Sequence, residues 1–187
     1  MDDQCLRKLC GMSCSIAKPA TTTRSCRCGI DVHAHVVPES SPAYLGGATP
    51  ALWPSTAVIT SNLMLRHPKL RIAFSHGGGT LASLLPRLEQ GWSVFPALRE
   101  QVQASPTAQA RSLYFDTLVF DTPTLRHLAD MFDDAQLMLG TDYPFNFHDR
   151  TPVARVDAAG FDAAAVERLV YKNAEAFLGL HAKTPSI

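Results

Sequence analysis

The chain has 187 residues, 46% hydrophobic and 18% charged, with seventeen basic and seventeen acidic side chains. That is enough apolar material for one domain with a sizeable core, and too much for disorder throughout. A formal net charge of zero with no dense Lys/Arg run argues against nucleic acid as the main partner, and no apolar stretch approaches the ~20 residues that a membrane span needs.

Residues 1–29 carry five basic and two acidic residues and Pro19 without a clean periodicity, and they read as a flexible extension ahead of a folded domain over 30–182. All five cysteines (Cys5, Cys10, Cys14, Cys26 and Cys28) fall in this extension, so a core disulfide is excluded. Their spacing fits no zinc pattern well, and the odd count with no apolar signal segment after Met1 favours a reducing compartment, the cytoplasm.

A first strand is expected over Gly29–Val37, where β-branched residues alternate with polar ones until Pro38 ends the run. Pro38, Pro42, Gly46, Gly47, Pro50 and Pro54 then predict a loop up to Pro54. A helix follows from about Ser55 to Arg66, ahead of Pro68, and Leu70–Phe74 reads as a buried strand running into His76-Gly77-Gly78-Gly79. Leu81, Leu84, Leu85 and Leu88 recur at helical spacing, with Gly91 placed to end that helix.

Val94 to Val102 is a further amphipathic stretch, and Leu113–Phe115 is a third strand. Thr122 and Pro123 open a helix whose apolar face is Leu125, Leu128, Ala129 and Phe132. Gln136–Leu139 is a fourth strand delivering Gly140-Thr141-Asp142-Tyr143-Pro144, and helices over about Asp162–Tyr171 and Asn173–Leu178 close the domain. Alternating strands and helices with few hairpin signals give an α/β fold with a mostly parallel sheet.

Ionisable groups collect at the carboxyl ends of three of these four strands: His33 and His35, His76, and Asp142. In parallel α/β folds that edge is where sites are built, because its loops vary without disturbing the core. His33 and His35 are two residues apart in a strand, so they point the same way and can donate ring nitrogens to one ion; two surface histidines are the plain alternative. His76 ahead of three glycines fits a ring presented to a pocket beside a tight backbone turn, or simply a glycine-rich helix entry. Asp142 follows an apolar strand, which suits a carboxylate at the floor of a cleft and also an ordinary turn aspartate.

Taken together these stretches resemble the metal-dependent amidohydrolase superfamily. The nearer likeness is to its branch containing aminocarboxymuconate-semialdehyde decarboxylase and the aromatic-acid decarboxylases. The residues that carry it are Ile30–Pro38, His67–Gly79 with Pro86-Arg87 behind, Leu139–Phe145 and Asn173–Leu180. The resemblance implies that His33, His35 and Asp142 bind a divalent metal, Zn2+ first and Mn2+ as the alternative. It makes His76 the acid/base, places Asp142 in the catalytic set and gives Arg87 a substrate carboxylate to hold. The chemistry agrees, since a divalent ion with an open position lowers the pKa of bound water toward ~7 and a neighbouring imidazole can then shuttle protons.

A full eight-stranded barrel takes ~250 residues, so the expected fold is an incomplete TIM-barrel-like (metallo-dependent hydrolase) arrangement, shortened between the first strand and the His-Gly-Gly-Gly strand. His67, at a helix end before Pro68, does not replace the histidine ligand that those units supply in the family. Three functions stay open. The first is a decarboxylase of a small unsaturated or aromatic carboxylic acid. The second is a hydrolase of an ester, amide or lactone, and the third a catalytically silent relative. A homodimer covering open sheet edges is the expected protein partner, with neither nucleic acid nor membrane.

Overall fold

Three short strands built mainly from apolar residues set the frame. The computed structural model describes residues 29–32 and 49–180. Strand β1 is Ala73–Phe74, β2 is Tyr114–Asp116 and β3 is Leu137–Met138, all parallel, in the order β1-β2-β3. Ala73 pairs with Tyr114, Phe74 and Leu137 flank Phe115, and Asp116 pairs with Met138. The expected extension over 1–28, the rest of the first strand with His33 and His35, and the loop as far as residue 48 lie outside the described residues.

Residues 29–32 nevertheless locate the first segment of the domain. The Val32 N–H donates to the Leu139 carbonyl at 2.9 Å, and Ile30 N–H to the Val170 carbonyl at 3.0 Å. This segment therefore lies along the end of β3, on the side away from β2.

Helices cover the sheet, the longer ones turning an apolar stripe toward the core. They are α1 (Thr49–Thr60), α2 (Leu63–Arg66), α3 (Leu81–Val94), α4 (Pro96–Gln101), α5 (Pro106–Ala110), α6 (Thr122–Phe132), α7 (Pro152–Ala158), α8 (Ala163–Glu167) and α9 (Asn173–Leu178). The core is built from Leu81 and Leu85 of α3, Leu113 and Phe115 around β2, Leu125, Leu128 and Phe132 of α6, and Leu169. Phe115 and Phe132 stack at its centre, 3.9 Å between centroids and 14° between planes. Among the described residues no helix is long and apolar enough to cross a membrane.

Several expectations are corrected. The first helix starts at Thr49, inside the stretch expected to be loop. Pro50 falls in its first turn, where a missing N–H forfeits no helical bond, and Pro54 forfeits one. The helix then breaks at Asn62, whose φ is 56°. Its side chain donates to the Gln101 carbonyl and accepts from Gln103 N–H, both at 2.8 Å. Gly91 does not end α3, which runs to Val94; Trp92 holds that last turn through Nε1–H to the Val102 carbonyl at 2.7 Å.

The strand over Leu70–Phe74 is not buried. β1 is the last strand of the described sheet, Leu70 is 42% exposed and Ala73 is exposed as well. The cap of α6 is Asp121, one residue ahead of Thr122, its carboxylate accepting from Thr124 N–H at 2.8 Å. The two closing helices are joined through a π-helical turn over Arg168–Lys172, and α5 and α7, unread in the sequence, each begin with a proline after a Ser or Thr.

Candidate active site

The carboxyl ends of β1, β2 and β3 converge on one region, and each loop that leaves them is tightly determined. After β1 the chain passes through four consecutive left-handed residues: His76 (φ 54°), Gly77 (59°), Gly78 (74°) and Gly79 (66°). The glycines have a spatial as well as a conformational reason. A Cβ on Gly77 would stand 2.5 Å from the Leu128 side chain, and one on Gly78 would stand 2.6 Å from the Phe115 ring. His76 is therefore the one residue of the turn that carries a side chain, in a conformation that costs a non-glycine residue ~1–2 kcal/mol. Its ring is half-buried, with Nε2 out of solvent contact.

Asp142 follows β3 by four residues and is also left-handed, at φ 65°. It is 1% exposed, and its loop is fixed from three sides. The Asp142 carbonyl accepts from Phe145 N–H at 2.9 Å, and the Thr141 carbonyl accepts from Asp149 N–H at 2.8 Å. The N–H and hydroxyl of Thr141 both donate to the Asp31 carboxylate. Asp31 thus ties the segment that leads into His33 to the segment that leads into Asp142.

Behind this loop Asp149, itself buried, accepts from Thr151 N–H at 2.9 Å and pairs with Arg155 at 2.7 Å. Arg155 reaches on to the Phe120 carbonyl in the loop after β2. Burial pushes the Asp149 carboxyl up, but the Arg155 and Thr151 hydrogen bonds and the charges of Arg155 and His148 outweigh it. The net result is a pKa below the ordinary carboxylate value.

The expected site residues are thus dispersed differently. The structure brings the His76 turn and the Asp142 loop to the same edge of the sheet. Arg87 is exposed on the face of α3 opposite buried Leu81, Ala82 and Leu85, and hydrogen-bonds to no other described residue. His33 and His35 lie outside the described residues, and among the described residues no group of three His, Cys, Asp or Glu side chains could hold a metal.

Asp116 was not singled out by the sequence reading. It is 2% exposed at the end of β2, and its Oδ1 accepts from Gly77 N–H at 2.9 Å and from Leu118 N–H at 3.2 Å. A signal for it existed: it is the ionisable residue at the carboxyl end of the third predicted strand, just where the other three carry theirs.

Residues 27–180 match the amidohydrolase sequence family. The chain belongs to that family. This amidohydrolase chain is 33% identical over 127 residues to the 2-amino-3-carboxymuconate-6-semialdehyde decarboxylase of Caenorhabditis elegans, which spans 66% of the chain and 31% of the relative. Among solved structures it is similar to IDCase of Metarhizium anisopliae, with a TM-score of 0.63 at 22% identity, covering 74% of this chain and 42% of that one. It is also similar to a dihydroxybenzoic acid decarboxylase from Polaromonas sp. JS666 with bound manganese and the inhibitor 2-nitroresorcinol. That match has a TM-score of 0.57 at 18% identity and covers 67% of this chain and 39% of that one. The chain spans about a third of the length of the curated relatives it matches. The likeness extends to the parallel sheet with its helices, as the resemblance implied.

Proposed function

We propose that this chain carries the strand-end half of a metal-dependent decarboxylase acting on a small unsaturated or aromatic carboxylic acid. The observation that carries the reading is the junction of Asp31 and Val32 with Thr141 and Leu139. It sets the residues just ahead of the His33-Ala34-His35 pair beside those just ahead of Asp142. The described sheet with residues 29–32 at its side is then an arc of an incomplete TIM-barrel-like fold over 30–182. Residues 1–29 are an extension, the compartment is the cytoplasm, and a second copy covers the open edge of β1.

The donor set fits a divalent metal. Asp142 places a carboxylate, 1% exposed, at the strand ends, and two imidazoles follow directly in sequence from the segment bonded to its loop. His33, His35 and Asp142 would hold the ion, zinc or the manganese seen in the dihydroxybenzoic acid decarboxylase. When bound it supplies a Lewis acid that polarises substrate oxygen.

The chain's own contribution is His76, the side chain carried by the glycine turn at the strand ends. In decarboxylation the carboxylate leaves as carbon dioxide, the bonding pair stays on the substrate carbon, and one proton must replace it. His76 supplies that proton and regains it from water. Arg87 holds a substrate carboxylate in this scheme only if a second chain or a further segment brings the substrate to the outer face of α3.

Metal analysis of the purified full chain tests the reading. The expected result is one zinc or manganese per chain, lost in His33→Ala and in Asp142→Ala. His76→Ala should keep the metal and lose carbon dioxide release from unsaturated or aromatic acids. Acid release from lactones without carbon dioxide would assign hydrolysis instead, and a chain that binds no metal and turns over neither class is a silent relative.

A further inference from the structure

We infer that Asp116 is a positioning residue that sets His76 in register with Asp142, an inference that rests on the decarboxylase reading of those two residues. Two contacts carry it, and they face opposite ways. Through Oδ1 the carboxylate accepts from the N–H of Gly77, the residue next to His76, at 2.9 Å. On the other side it packs against Gly140, two residues before Asp142, so closely that a Cβ there would lie 2.7 Å from the Asp116 Cβ and 2.8 Å from Oδ2. One side chain in the middle strand therefore touches both neighbouring strand-end loops, the one that carries the proposed acid/base and the one that carries the proposed metal ligand.

The chemistry suits that task better than apolar packing would. Two backbone bonds close the His76–Gly79 turn, Gly78 N–H to the Ser75 carbonyl at 3.0 Å and Gly79 N–H to the His76 carbonyl at 2.9 Å, and the Gly77 N–H is left to the Asp116 carboxylate. A hydrogen bond from an amide to a carboxylate is worth roughly twice a neutral one, and it specifies direction as well as distance. Asp116 is anchored at its root by β2, which pairs with both other strands, Phe115 with Phe74 and Leu137 and Asp116 with Met138. A second N–H, from Leu118 at 3.2 Å, fixes its rotamer. Gly140 completes the fit, because any side chain there would push the carboxylate toward the His76 turn.

Mn2+ added to the full chain provides a ruler. A bound paramagnetic ion broadens His76 ring-proton resonances according to distance, with His76→Gln identifying the signals. Wild type and Asp116→Asn, which keeps the Oδ1 acceptor, should show the same His76 broadening. Asp116→Ala should change it at least twofold while Mn2+ still binds. Unchanged broadening in Asp116→Ala overturns the inference, as does a change in Asp116→Asn as large as that in Asp116→Ala.

Should Asp116→Ala fail to fold, the amide proton of Gly77 gives a second reading. Bonded to a carboxylate it resonates downfield, and it should move upfield in Asp116→Asn; a Gly77 amide that does not move overturns the inference. No Mn2+ binding by wild type would instead overturn the decarboxylase reading beneath it, while the Gly77 signal would still report on the Asp116 contact.

Discussion

The two ends of the parallel sheet are built on different terms. At the carboxyl end each strand is followed within four residues by a left-handed non-glycine residue: His76 after β1, Phe120 after β2 and Asp142 after β3. The same end buries Asp116, Asp142 and Asp149. The other end is relaxed. Asn173 donates to the Asp134 and Leu137 carbonyls, both at 2.7 Å, Arg168 grips the Asp134 carboxylate with two nitrogens, and Arg71 closes on the Ala176 carbonyl at 2.6 Å. Its two left-handed non-glycine residues, Asn62 and Asp133, are of the types that tolerate that conformation. One end therefore holds strain and buried carboxylates where chemistry is proposed, and the other ties distant segments together through side-chain to backbone bonds.

The contrast can be broken most directly through what both ends share. Phe132→Ala removes a fully buried ring stacked on Phe115 and should cost about 3–5 kcal/mol, measured as a fall in urea midpoint. A cost below about 1 kcal/mol would mean that the core is not continuous beneath the two ends. Asn173→Ala tests the relaxed end alone. It removes the side-chain donor shared by two carbonyls and should cost about 1–3 kcal/mol, with metal bound per folded chain unchanged.

Acid sharpens the comparison at the strained end. Because the Asp149 pKa is lowered in the folded state, its contribution to stability is present above the ordinary carboxylate value of ~3.9 and lost as pH falls through the folded value. Asp149→Asn should flatten that part of the acid unfolding curve, and an unchanged curve would remove Asp149 from the account. The smallest effect is expected from Phe120→Gly. The left-handed penalty of ~1–2 kcal/mol is relieved, glycine's entropy takes back ~0.5–1 kcal/mol, and the ring is already 46% exposed. A gain of about 0.5 kcal/mol in denaturant unfolding checks it.

Periodicity made much of this fold legible. Leu125, Leu128 and Phe132 mark the buried stripe of α6, and the polar residues His76 and Asp142 mark strand ends because apolar runs lead into both. What stayed hidden depends on contacts between distant residues. Gly91 looks like a stop signal until Trp92 is seen bonded to Val102, and Pro54 looks like a loop residue although α1 runs through it. Leu70–Phe74 has the composition of a covered strand, yet β1 has β2 on one side and no described strand on the other. Asp116 was missed because a lone aspartate at a strand end says nothing about its neighbours until Gly77 and Gly140 are placed against it.

The seam between residues 29–32 and the rest of the sheet sets an order of events during synthesis. Val32 cannot make its bond until Leu139 has left the ribosome, nor Ile30 until Val170 has. More than a hundred residues must emerge before either junction can form, and closing so long a loop is an entropic cost met late. The helices and the three paired strands can assemble as they appear, whereas the corner proposed for chemistry waits on partners made more than a hundred residues later.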